Sequence, residues 1–175
     1  KWAYVTWTKS GSTLNLYIDG KFIQQWTPSI SFDITFSGVS FYLSNTGWSP
    51  GVMSNLMLDD LKIYPYARTA AQIKTDFNSP GTAKGSSVQV GPKNPQESFS
   101  QGLVGYWKMD EASGTLADAS GNSNTGTWAG TGGSHYTSGK YGNGGGFNGT
   151  DDYIIPTSST VMGGTSSTLS LWFKV

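Results

Sequence analysis

The chain has 175 residues, enough for one globular domain with a real core, and carries zero net charge with only 13% charged residues. That balance would neither neutralise a phosphate backbone nor hold to an anionic membrane; zero cysteines exclude disulfide staples, thiolate nucleophiles and zinc-thiolate sites. Glycine at 24 positions and aromatics at 14% describe short strands joined by tight turns, and hence an all-β fold, because glycine supplies the positive φ such turns need.

Residues 2–8 alternate, with Ala3, Val5 and Trp7 on one face and Trp2, Tyr4 and Thr6 on the other, the period of a half-buried strand. Lys1 begins inside this strand pattern and not in a signal peptide, so the native start is expected elsewhere. A hairpin follows: Leu14, Leu16 and Ile18 point one way, Asp19-Gly20 is a type I′ turn signal, and residues 21–26 return. Residues 32–36, 41–43 and 56–64 read as further strands between Gly, Pro, Ser and Asn clusters, spacing that favours a sandwich. Thr69 is placed to cap a short surface helix through Phe77, with Gln72 reaching back as a capping box.

From 79 to 101 the pattern dissolves into a linker in which Pro80, Pro92 and Pro95 each deny a ladder hydrogen bond. Structure is expected again at 102–109, with Leu103, Trp107 and Met109 on one face, and at 125–128, 146–155 and 168–175. No run approaches the roughly 18 apolar residues that span a bilayer.

Two sets of motifs resemble the laminin-G-like jelly roll of the concanavalin A-like lectin superfamily, in reversed order. Gly102-Leu103-Val104-Gly105-Tyr106-Trp107, Asp118-Ala119-Ser120-Gly121-Asn122-Ser123-Asn124, Phe147-Asn148-Gly149-Thr150-Asp151-Asp152-Tyr153 and Leu169-Ser170-Leu171-Trp172-Phe173 look like the opening of such a domain. Trp2-Ala3-Tyr4-Val5, Leu14 to Lys21 with its Asp19-Gly20, Leu58-Asp59-Asp60-Leu61-Lys62-Ile63-Tyr64 and the helix look like its close. The resemblance implies an antiparallel β-sandwich, with 1–78 the C-terminal half of a domain, 79–101 a linker and 102–175 an N-terminal half. The family's middle strands are missing between the two sets. The chain is then a window on a tandem array, a circular permutant, or a subunit that exchanges halves. The apolar strands at both ends favour the first or the last, because an unpaired strand is a template for another chain.

Asp59 would share a face with Leu61 and Ile63, and an unpaired carboxylate facing a core needs a partner. The loop from Asp118 to Asn124 offers a carboxylate, amides and carbonyls, the oxygen set calcium takes. The resemblance implies that these two places meet at a calcium site, giving Asp59, Asp118 and Asn124 as ligands; the alternative is that Asp118 closes an Asx turn and Asp59 pairs within the protein. Trp48, Trp128 and Tyr136 are the candidates for stacking a sugar, with packing favoured for each. Asn148-Gly149-Thr150 is a glycosylation sequon in form but reads better as an Asn-Gly turn. No pair of alternating acids suits glycoside hydrolysis: Glu97 falls in the linker, Glu111 in a turn, and His135 in a Gly-rich loop. The expectation is a non-enzymatic extracellular or cell-surface module that assembles with copies of itself or neighbouring repeats into a fibre, with carbohydrate binding as the alternative.

Overall fold

Residues 1–27, 56–79, 102–157 and 165–175 are described by a computed structural model. The strands expected over 32–36 and 41–43, Trp48, and linker residues 80–101 lie outside them.

β1 (Ala3–Ser10), β2 (Thr13–Ile18) and β3 (Lys21–Trp26) form an antiparallel meander. Asp19 and Gly20 turn it with φ of 51° and 73°, the two positive values a type I′ turn needs. Asp19 also ties the turn to β1, its amide donating to the Tyr4 carbonyl and its carboxylate accepting from the Tyr4 amide.

β4 (Leu56–Tyr64) leads to the helix α1 (Ala70–Asn78). The capping box forms: the Thr69 side chain accepts from the Gln72 amide and the Gln72 side chain accepts from the Thr69 amide. α1 keeps one face on the sheet, where Ile73 is fully buried and Phe77 packs against Tyr4 and Trp172.

The second part supplies β5 (Gly105–Trp107), β6 (Gly126–Ala129), β7 (Tyr136–Ser138), β8 (Asn143–Phe147), β9 (Tyr153–Pro156) and β10 (Ser166–Lys174). The single strand expected over 146–155 is in fact β8 and β9, which belong to different sheets. The break is chemical: the Asn148 side-chain oxygen accepts from the amides of Thr150, Asp151 and Asp152, closing the Asn-Gly turn that competes with extension. Gly144 to Gly146 lie inside β8, and Gly145 is there because a Cβ would come within 2.9 Å of the Met109 sulfur.

The large sheet runs β3-β2-β1-β10-β4-β8-β7, with β5 also on β4, and β6 and β9 make a second, two-stranded sheet. All pairings are antiparallel. The all-β antiparallel sandwich is therefore as the sequence indicated. Its core gathers Leu56, Leu58, Leu61 and Ile63 of β4 and Leu169 and Leu171 of β10 against Trp107, Met109, Leu116, Phe147 and Ile154. Burying each such side chain contributes about 1.5–3 kcal/mol. Toward the meander the same face thins: Val5 and Leu16 are half-buried and Trp7 is 39% exposed.

One expectation is overturned by the register. The terminal strands are not unpaired edges, because β10 lies between β1 and β4 and pairs with β1 from Ala3↔Phe173 to Ser10↔Ser166. Opposed residues match face for face, Tyr4 with Trp172 beneath α1, and Val5 with Leu171 on the core side. Two complementary amphipathic strands satisfy each other's backbone groups, which removes the template that each alone would offer.

Candidate functional site at the seam between the halves

β4 comes from the first part of the chain and β10 from the second, so their pairing is the seam. Leu56 and Leu58 face the core, as do Leu61 and Ile63, which strict alternation forbids. The register explains it: Trp172 opposes Asp59 and Ser170 opposes Lys62, so two residues of β4, Asp60 and Leu61, face one of β10. This is a β-bulge, with Asp60 at φ 53°. The bulge corrects the expectation for Asp59. It lies on the side of Trp172, opposite to Leu61 and Ile63.

Both carboxylates are buried, Asp59 at 1% and Asp60 at 2% exposure. Asp59 accepts from the Tyr141 amide at 2.8 Å, and burial, with the charges of Asp60 and Asp110 adding and backbone hydrogen bonds opposing, pushes its carboxyl up to about 7. Asp60 accepts from the Tyr106 hydroxyl at 2.6 Å and has the Lys62 ammonium at 3.9 Å. Burial raises its carboxyl too, against the pull of Lys62 and of the Tyr106 phenol. Tyr106 in turn has its phenol pushed far up, by burial first and then by Asp60. Tyr106 and Tyr141 belong to the second part of the chain, so the acidic pair of one half is partnered by the other.

A second contact closes the same seam. Arg68 and Asp76 form an ion pair at 2.8 Å with side chains only 4% and 3% exposed, and the guanidinium lies 4.2 Å over the Tyr64 ring. The Arg68 amide donates to the Thr168 hydroxyl of β10, which donates to the Tyr66 carbonyl. β10 is thereby held to the segment between β4 and α1 as well as to β4 itself.

Asp118 and Asn124 are neighbours, but in a turn that uses their atoms. Asp118 Oδ1 accepts from the amides of Tyr106 and Ser120, and Oδ2 from the Ser120 hydroxyl and the Asn124 amide. The Asn124 side chain donates to the Val104 carbonyl, and its own carbonyl accepts from the Trp107 indole. These donors hold the Asp118 carboxyl below its usual range, against a burial penalty that is the largest single influence. Both Asp118 oxygens are thus spent on hydrogen bonds, and Asp59 accepts from the Tyr141 amide with Asp60 and Asp110 acting on it. Among the described residues no three His, Cys, Asp or Glu side chains converge as metal ligands. The expected set of Asp59, Asp118 and Asn124 thus does not fit calcium here, and the Asx turn is the reading the geometry carries.

The sugar candidates divide likewise. Trp128 has the His135 ring stacked on it at 4.5 Å, Phe147 tilted against it at 5.0 Å and Tyr136 edge-on at 5.8 Å, so its ring is taken up in packing. Tyr136 opens β7 and donates its hydroxyl to the Gly114 carbonyl. Glu111 accepts from the Ala117 amide. Sequence reasoning missed Tyr106, Asp110, Tyr141 and Thr168 at the seam, because nothing in their local pattern marks residues whose partners lie across the chain.

The laminin G model of the concanavalin A-like lectin/glucanases superfamily matches residues 1–74. No curated protein and no solved structure matches the chain. The laminin-G-like resemblance of the sequence is consistent with the family match, which falls on the first of the two motif sets. Domains of that kind are in general non-catalytic binding modules and are commonly extracellular. No helix among the described residues is long and apolar enough to cross a membrane.

Proposed function

We propose that this chain is a non-enzymatic extracellular structural and adhesive module, in which the two halves complete one jelly roll and copies assemble by exchanging them. The observation that supports this reading is the place of β10, a strand of the second half inserted between two strands of the first. The register and the Arg68, Thr168, Asp60 and Tyr106 contacts are the same whether β10 comes from the same copy or the next, so closure within a chain and exchange between chains compete through the connection at 80–101. Exchange carried from copy to copy builds a linear array.

Light scattering over a dilution series, with electron microscopy of the concentrated protein, tests the reading. Shortening the connection at 80–101 disfavours closure within one chain, so ordered multimers should replace monomer. A chain that stays monomeric at every concentration, with the connection intact or shortened, sinks the proposal.

A further inference from the structure

Where β1 meets β10 the sheet has two unlike faces. On the core side β10 presents Leu169 and Leu171, whereas beneath α1 the two strands present hydroxyls: Thr6 stands opposite Ser170, and Thr8 opposite Thr168. The second of these pairs is served by its neighbours. Thr168 accepts from the Arg68 amide and donates to the Tyr66 carbonyl, and Thr8 accepts from the Asn15 side chain. The first pair is not. Thr6 Oγ1 and Ser170 Oγ are buried and form no hydrogen bond with any group among the described residues, and the same holds for the hydroxyl of Tyr4, which shares the buried face of β1 with Thr6.

Tyr4, Thr6 and Ser170 are each 1% exposed. Burial first, and then Asp76, push the Tyr4 phenol far up, while Ser170, Arg68 and Thr6 draw it back. The three oxygens therefore lie together, yet no two of them meet in hydrogen-bonding geometry. The rings of Tyr4, Trp172 and Phe77 pack on one another with centroids 5.2–6.1 Å apart and shut the place from solvent. The buried Arg68–Asp76 pair lies beside it, its two charges opposed at 2.8 Å.

We propose that this is a binding site for one structural water molecule, held by the hydroxyls of Tyr4, Thr6 and Ser170 and so shared by the two halves of the chain. A buried hydroxyl left unbonded costs about 1–3 kcal/mol, and a buried water with about three polar partners is how proteins satisfy such groups. The ligand is a neutral dipole and not an ion, because Asp76 already balances the Arg68 charge alongside. Hydroxyls suit it, since each can turn either to donate or to accept: the water gives its two hydrogens to two of them and takes one from the third. The site also accounts for the hydroxyls on these strands. Before they pair, β1 and β10 each show a polar face on the α1 side, and on pairing they keep a water there instead of stripping every hydroxyl of its partner.

The test counts long-lived waters in the full chain by oxygen magnetic relaxation dispersion, comparing the wild type with a double variant, Thr6→Val and Ser170→Ala. Those changes take away two of the three holders with little change of shape. The double variant should hold one long-lived water fewer than the wild type. A crystal structure of the wild type should show a water peak among the three oxygens, about 2.7–2.8 Å from each. Equal counts in the two proteins overturn the proposal, as does a crystal structure in which the Tyr4 hydroxyl bonds directly to Thr6 or Ser170 with no water between them. Should the double variant fail to fold, the crystal structure of the wild type decides.

Discussion

Asp118 and Asp59 are both carboxylates at the boundary of the same sandwich, and they are treated in opposite ways. Asp118 sits in a loop where four donors from residues 106–124 converge on it, and its carboxyl is held below the usual range. Asp59 sits at a bulge in the middle of the sheet with one amide at 2.8 Å, and burial pushes its carboxyl up to about 7. A carboxylate surrounded by its own turn stabilises the turn; a carboxylate carried under a strand from the other half is a charge the seam must neutralise. The difference predicts where the fold is strong and where it responds to pH.

The largest effect should come from breaking the buried ion pair beside the seam. Arg68→Ala leaves Asp76 buried without its cation and removes the guanidinium from the Tyr64 ring, so stability should fall by about 3–5 kcal/mol in chemical denaturation. A loss below about 1 kcal/mol would mean the pair contributes no more than an exposed one. Asp118→Ala should cost about 1.5–3 kcal/mol, since it strands the amides of Tyr106, Ser120 and Asn124. Calcium at millimolar concentration should then leave the melting of the metal-stripped wild type unchanged. A clear upward shift with calcium that Asp118→Ala abolishes would restore the ion and displace the turn reading.

The smallest and most specific effect concerns Asp59. Its folded carboxyl is raised, so the folded state takes up the proton more readily, and stability rises as pH falls through about 7 toward the unfolded value near 4. Asp59→Asn keeps an oxygen for the Tyr141 amide but cannot titrate. Its stability, measured by thermal melting from pH 8 to pH 5, should be flatter than the wild type and higher at pH 8. An unchanged pH slope would show that Asp59 ionises freely and that the comparison with Asp118 is one of position only.

Much of the framework was legible because it is local. The type I′ turn at Asp19-Gly20, the capping box of Thr69 and Gln72, the turn after Asn148 and the alternation of β1 each depend on residues close in sequence. The bulge at Asp60 was not legible, because it is a property of register between β4 and β10, and a shift of one residue reverses the face of everything beyond it. That single irregularity is why Asp59 was expected on the face of Leu61. β7 was hidden for a related reason. Three residues beginning at Tyr136 in a Gly-rich stretch extend because β8 offers them partners, not because of their own pattern.

What the sequence by itself determined is the class of the fold: all-β and antiparallel, with a laminin-G-like resemblance that a family match over residues 1–74 supports. Composition, turn residues and period-two alternation are short-range signals, and they suffice for that. Only the tertiary structure decided that the terminal strands pair with each other, that β10 enters the sheet beside β4, and that Asp59 and His135 meet the partners they do. Those outcomes rest on complementarity between surfaces far apart in the chain, where each side gains hydrogen bonds and apolar contact only once the other is in place.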